Sequence, residues 1–126
     1  MEITSFSKGE EIAPIALAIH KLVNNLPTTM RTQHSNGVRI EEGEIIVYNY
    51  TGPILEKVLN EGKIVHTVPE RGPYTGIPVI VVPIEEKNEV IGAVGIVDIT
   101  KGIFSDIKHI TRRPEQINHK GEFYWK

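Results

Sequence analysis

The chain has 126 residues and a mass of 14.1 kDa, the size of one domain. It is 40% hydrophobic and 24% charged with a net charge of −2, which excludes global disorder, collagen-like repetition and a coiled-coil rod. The near-neutral balance argues against broad binding to nucleic acid, and the lack of cysteine removes disulfides, thiol nucleophiles and thiolate zinc sites.

Val and Ile together number 31 against five Leu, and β-branched side chains suit a pleated, half-buried surface. The first element is nevertheless a helix, over Glu10 to Asn25. Ile12, Ile15, Ala16, Ile19, Leu22, Val23 and Leu26 step by three and four along one face. Ser7 and Glu10 read as a capping box; Pro14 then requires a start late enough to put its ring in the first turn, and Pro27 ends the helix.

Thr28 to Gln33 reads as a strand, Ser35-Asn36-Gly37 as a turn, and Val38 to Ile40 as extended again. Glu42-Gly43 turns the chain into a strand at Ile45 to Tyr48. Thr51-Gly52-Pro53 opens a short helix with Pro at its first position, and Gly62 stands where a left-handed cap is wanted. Lys63 to Val68 is a strand and Pro69 to Gly76 a loop. Ile77 to Ile84 is a nearly continuous apolar strand, of the kind buried on both faces. A charged connection at Glu85 to Glu89 leads to the longest strand, Val90 to Ile99. A last helix covers Ile103 to Thr111.

The expected fold is α+β: a single antiparallel sheet of about five strands with helices on one face. The order is helix, two or three strands, short helix, three strands, helix, as in PAS-like, Cache-like and profilin-like domains. Residues 1–113 form the domain and 114–126 a basic, aromatic tail. The N-terminus lacks the basic start of a secretory signal, and the longest apolar runs have eight residues where a membrane span needs about 20. A cytoplasmic setting without membrane attachment is expected.

Catalysis finds little support. There is no nucleophile elbow, zinc-binding His pair, P-loop or dinucleotide fingerprint. His20, His34, His66, His109 and His119 are dispersed and read as surface or boundary residues. The pairs Glu10-Glu11, Glu41-Glu42 and Glu85-Glu86 sit at turns or helix starts, where solvation or the helix dipole accounts for them. We expect no enzyme activity, no catalytic residue, no metal and no cofactor.

Binding has more to build on. Tyr48, Tyr50 and Thr51 bring two aromatics and a hydroxyl to a helix N-terminus, a place receptive to carboxylate or phosphate. The competing reading has Thr51 capping the helix and the tyrosines packing on the sheet. Arg71 and Tyr74 lie in a loop stiffened by Gly and Pro that feeds the apolar strand. Gly92 and Gly95 in the last strand signal a close approach, by a ligand or a covering helix, and Asp98 shares a face with Gly92. Arg31 and Arg39 can aim a planar fork at a carboxylate, or pair with Glu44.

The expected ligand-binding set is therefore Arg31, Tyr48, Tyr50, Arg71, Tyr74 and Asp98. Beyond residue 106 five Lys and Arg face two Glu, a local charge of +3 that leaves −5 on the rest, and Phe123-Tyr124-Trp125 adds an aromatic run. Such a tail docks on its own body or on a twin subunit, so a homodimer is expected and nucleic acid is not. The leading expectation is a non-enzymatic sensor or regulatory domain for a small anionic metabolite. The rival is a protein-interaction module using its sheet or a helix face.

The stretches Ala13 to His20, Tyr50-Thr51-Gly52-Pro53, Gly72 to Ile84 and Val90 to Thr100 resemble a small family of uncharacterised proteins from methanogenic archaea. The resemblance runs from about Ser7 to Phe104. The late apolar hairpin, ending Ile-Gly-Ala-Val-Gly-Ile-Val-Asp, is similar to the closing hairpin of Cache and PAS sensor domains. The resemblance implies a sensor-like α+β fold and a cytoplasmic methanogen setting, and assigns no catalytic residue.

Overall fold

A computed structural model of the chain describes residues 2–98. The helix expected at Ile103 to Thr111 and the tail 114–126 lie outside the described residues. Eight elements follow in the order α1 (Gly9–Leu22), β1 (Thr28–Thr32), β2 (Ser35–Glu41), β3 (Glu44–Tyr50), α2 (Pro53–Glu61), β4 (Val65–Thr67), β5 (Val79–Glu86) and β6 (Glu89–Val97). The strands form one open antiparallel sheet in the order β3-β2-β1-β6-β5-β4.

The sheet has six strands, not about five: the segment before α2 supplies three of them, and Ser35-Asn36-Gly37 is part of β2 rather than a turn. The pairing of Thr32 with Ser35 leaves Gln33-His34 as the turn. Two further tight hairpins turn on paired left-handed residues, Glu42-Gly43 and Lys87-Asn88, all with φ between +53° and +83°. Two positive φ values match the right-handed twist of the flanking strands.

The helices occupy opposite faces of the sheet, which corrects the expectation that they share one. Register and period-two alternation put Thr28, Met30 and Thr32 of β1 on the same face as Val38 and Ile40 of β2 and Val94 of β6. There α1 delivers Ile12, Ala13 and Ala16 to a buried cluster with Met30, Val38 and Ile40. The other face carries Ala93, Val79 and Val81, on which α2 lays Leu55, Val58 and Leu59.

α1 begins at Gly9 with Lys8 as its N-cap residue. Its box partner is Glu11, whose carboxylate accepts the Lys8 backbone N–H at 2.7 Å. Ser7 is one residue too early: its hydroxyl accepts the Thr4 N–H at 2.9 Å, and its carbonyl accepts the Thr32 hydroxyl at 2.6 Å. Pro14 therefore lies inside the helix, on its exposed side. The helix ends at Leu22, three residues short of the expected Asn25, because Asn24 and Asn25 adopt left-handed φ of 60° and 61°. α2 follows the expectation more closely. Pro53 is its first residue, and Gly62 closes it at φ 68° with its N–H on the Val58 carbonyl at 2.8 Å.

Candidate functional site

The α2 face of the sheet carries a small pocket. Its floor is Thr29, Gly95 and Val81; one wall is the start of α2 at Gly52 to Leu55, and the other is the 69–76 loop with Arg71 and Tyr74. It encloses about 40 Å³. The floor exists because Gly95 has no side chain, since a Cβ there would press on Val81 and the Thr29 hydroxyl. The glycine signal in β6 is thus explained by neighbouring strands rather than a covering helix. Gly92 likewise lies against the Arg31 carbonyl of β1.

The loop is held by its own backbone. The Gly76 N–H donates to the Pro69 carbonyl at 3.1 Å, and the Thr75 hydroxyl donates to the Gly72 carbonyl at 2.7 Å. Tyr74 anchors it to the sheet: its hydroxyl donates to Glu41 Oε2 at 3.0 Å, and Arg39 stands 5.6 Å over its ring. Arg39 in turn pairs with Glu41 at 3.0 Å rather than with Glu44. Burial pushes the Tyr74 hydroxyl far above the ordinary tyrosine range, with Glu41 adding to the shift and Arg39 opposing it. Burial also raises Tyr50, against the field of Arg39. For Arg39 burial works against the charge, yet its bonds to Tyr74 and Glu41 prevail and move its pKa upward.

The expected ligand set separates on this frame. Tyr50, Arg71 and Tyr74 all border the pocket. Arg71 is exposed and, among the described residues, takes part in no ion pair or hydrogen bond. Arg31 lies nearby, but four of its roughly five N–H donors are already engaged. Nη1 reaches Thr51 Oγ1 at 2.8 Å and Asn36 Oδ1 at 3.2 Å, and Nε and Nη2 reach the carbonyls of Thr32 and Gln33. Desolvation lowers its pKa while Glu56 opposes the shift. Tyr48 is 48% exposed on the edge strand β3, away from the pocket. Asp98 faces the opposite side of the sheet, where it meets His66 Nδ1 at 3.1 Å.

Thr51 does not cap α2. It accepts from Arg31 and donates to Glu56 Oε2 at 3.0 Å, leaving Gly52 as the N-cap. The first intrahelical bond runs from the Glu56 N–H to the Gly52 carbonyl at 3.1 Å. The N–H groups of Ile54 and Leu55 precede it and have no partner within the helix. Both residues border the pocket.

Two features escaped the sequence reading. His20 is fully buried, not a surface or boundary residue. Its Nε2 accepts the Gly43 N–H at 2.9 Å while Nδ1 lies 2.8 Å from the Leu26 carbonyl, a partner set that fixes the neutral Nδ1–H form. Its spacing of four from Ala16 on the buried face was the available signal. The Glu41 contact had none, because it joins residues 33 positions apart.

The family described as "Uncharacterized protein conserved in archaea (DUF2111)" matches residues 19–100. The chain belongs to this archaeal family. The match takes in all six strands and α2, so the family region contains the whole pocket. An uncharacterised protein of Methanocaldococcus jannaschii is 50% identical over 113 residues, which cover 90% of this chain and 86% of that relative. No solved structure matches the chain. Among the described residues of this member of the archaeal family, no helix is long and apolar enough to cross a membrane, and no group of three His, Asp or Glu stands ready for a metal.

Proposed function

We propose that this protein is a non-enzymatic sensor or regulatory domain that binds a small anionic metabolite between the α2 N-terminus and the 69–76 loop. The observation that carries this reading is that one apolar recess is bordered both by Arg71, which has no ion-pair or hydrogen-bond partner among the described residues, and by Ile54 and Leu55, whose N–H groups have no partner within the helix. A cation and N–H groups at the positive end of a helix recognise carboxylate or phosphate.

Size narrows the class. Drug-sized pockets hold about 300–1,000 Å³, whereas one water needs roughly 10–15 Å³. A recess of about 40 Å³ takes a methyl or ethyl group and leaves the acidic end at the rim beside Arg71. A short-chain carboxylic acid fits both requirements. Tyr74 serves the site as its anchor, since its hydroxyl is committed to Glu41 and ties the loop to the sheet. A cytoplasmic dimer completes the reading.

Thermal unfolding of the full chain against short carboxylates, phosphate and nucleotides tests it. A ligand at 100 times its Kd adds about 2.7 kcal/mol to the folded state. Binding by wild type that is lost in Arg71→Ala with the fold intact is the expected result. No shift by any anion, or equal shifts in both proteins, overturns the proposal.

A further inference from the structure

The side of α1 that faces away from the sheet is apolar. From Ile12 to Ile19 the helix runs without one charged or hydrogen-bonding side chain. Its buried face uses Gly9, Ile12, Ala13, Ala16 and His20. At about 3.6 residues per turn, Pro14, Ile15, Ala18 and Leu22 fall on the opposite pole. All four are exposed, Leu22 to 82%. A surface helix ordinarily carries its charges there, and one that is apolar all round is built to be covered on both sides.

The charges of α1 sit at its two ends, and they are arranged to match a second copy. Glu10 lies in the first turn and Lys21 in the last. Their separation is close to three turns, so both project from one flank of the apolar pole. Neither takes part in an ion pair among the described residues. We propose that this pole is a dimer face, and that its occupant is α1 of a second copy packed antiparallel about a two-fold axis midway between Glu10 and Lys21.

The contact is self-complementary. Such an axis crosses the helix at Ile15 and Ala16 and brings like flank to like flank, so each Glu10 meets the partner's Lys21 and the pair occurs twice. It also sets Ile15 level with the gap between the partner's Pro14 and Ala18, a knob facing a hole. Ala18 lets the two helices approach closely. A lipid surface suits the pole less well, because it asks for a cationic rim and α1 sets Glu10 and Glu11 against Lys21. Two helices of 14 residues make a small interface, of the transient, concentration-dependent class. The inference rests on the reading above only in its dimer, since the anion pocket lies across the sheet from α1.

Sedimentation equilibrium of the full chain tests it. The wild type is expected to pass from monomer to dimer as concentration rises, and Ala18→Glu to stay monomeric with unchanged circular dichroism. Glu10→Lys and Lys21→Glu should each weaken the dimer, and the two together should restore it, a rescue that a merely damaged fold would not show. The chain has no cysteine, so Ile15→Cys, beside the axis, should form a disulfide between two chains under mild oxidation. Lys57→Cys on α2 should not. A chain monomeric at every concentration would leave this pole to another occupant and overturn the proposal. A dimer that survives Ala18→Glu would place the contact elsewhere and overturn it as well. Neither result touches the anion response, which Ala18→Glu should leave as in wild type.

Discussion

A buried histidine that ties three segments together makes a sharp prediction. His20 joins the end of α1 to the Gly43 turn and to Leu26 at the start of β1. His20→Ala leaves the Gly43 N–H without its acceptor and opens a cavity, and should cost about 2–4 kcal/mol in urea unfolding. Nitrogen NMR of the ring should report a proton on Nδ1 and none on Nε2. Tyr74 makes a prediction in pH. In the unfolded chain a tyrosine ionises near pH 10, while in the folded protein burial holds the Tyr74 proton to higher pH. The folded state then binds more protons than the unfolded one, so this contribution is intact below pH 10 and lost as pH rises beyond it. The melting temperature of wild type should fall more steeply than that of Tyr74→Phe between pH 9.5 and 11 (a window set by the reference tyrosine pKa of about 10). At this scale Tyr50, Arg71 and Tyr74 were legible as polar residues on a helix start and a stiff loop. Arg39 and Glu41 were not legible as partners of Tyr74, because that meeting depends on where the loop lands on the sheet.

Among the elements, strands and turns read well and helix register less so. The alternating and continuous Val/Ile runs placed the strands, and Gly43 and Gly62 adopt the left-handed backbone their positions required. In α1 the expected stripe includes Ile15 and Leu22, which are 37% and 82% exposed. The buried face runs instead through Gly9, Ile12, Ala13, Ala16 and His20. Close approach to the sheet selects small residues there, and a count of large apolar ones misses them. Gly9 shows how close the helix comes, since a Cβ there would press on the Tyr48 and Gly37 carbonyl oxygens, and Gly37 in turn lies against the Met30 carbonyl oxygen of the neighbouring strand β1. Gly37→Ala should cost at the upper end of about 1–3 kcal/mol by overpacking, and Gly62→Ala about 1 kcal/mol for its left-handed φ, both read by chemical denaturation. β3 is protected as an edge by two register irregularities against β2, which a sequence pattern does not reveal.

For the whole molecule, the division into two half-cores on opposite faces decides where a ligand can bind. Ile12 lies at 0% exposure in the α1 half, and Ile12→Ala should destabilise the fold by about 2–5 kcal/mol without altering the pocket, which belongs to the α2 half. That separation was invisible in the sequence, because helix placement above or below a sheet depends on the crossing of loops rather than on hydrophobic period. The central claim is that a small anion seats between the α2 start and the 69–76 loop. The most direct measurement is a titration of the isotope-labelled full chain with short-chain carboxylates, followed by amide NMR. Shifts concentrated at Ile54, Leu55, Tyr74 and Gly95, saturating with one ligand per chain, are the predicted result. Shifts at other sites alone, or none at millimolar ligand, would contradict it.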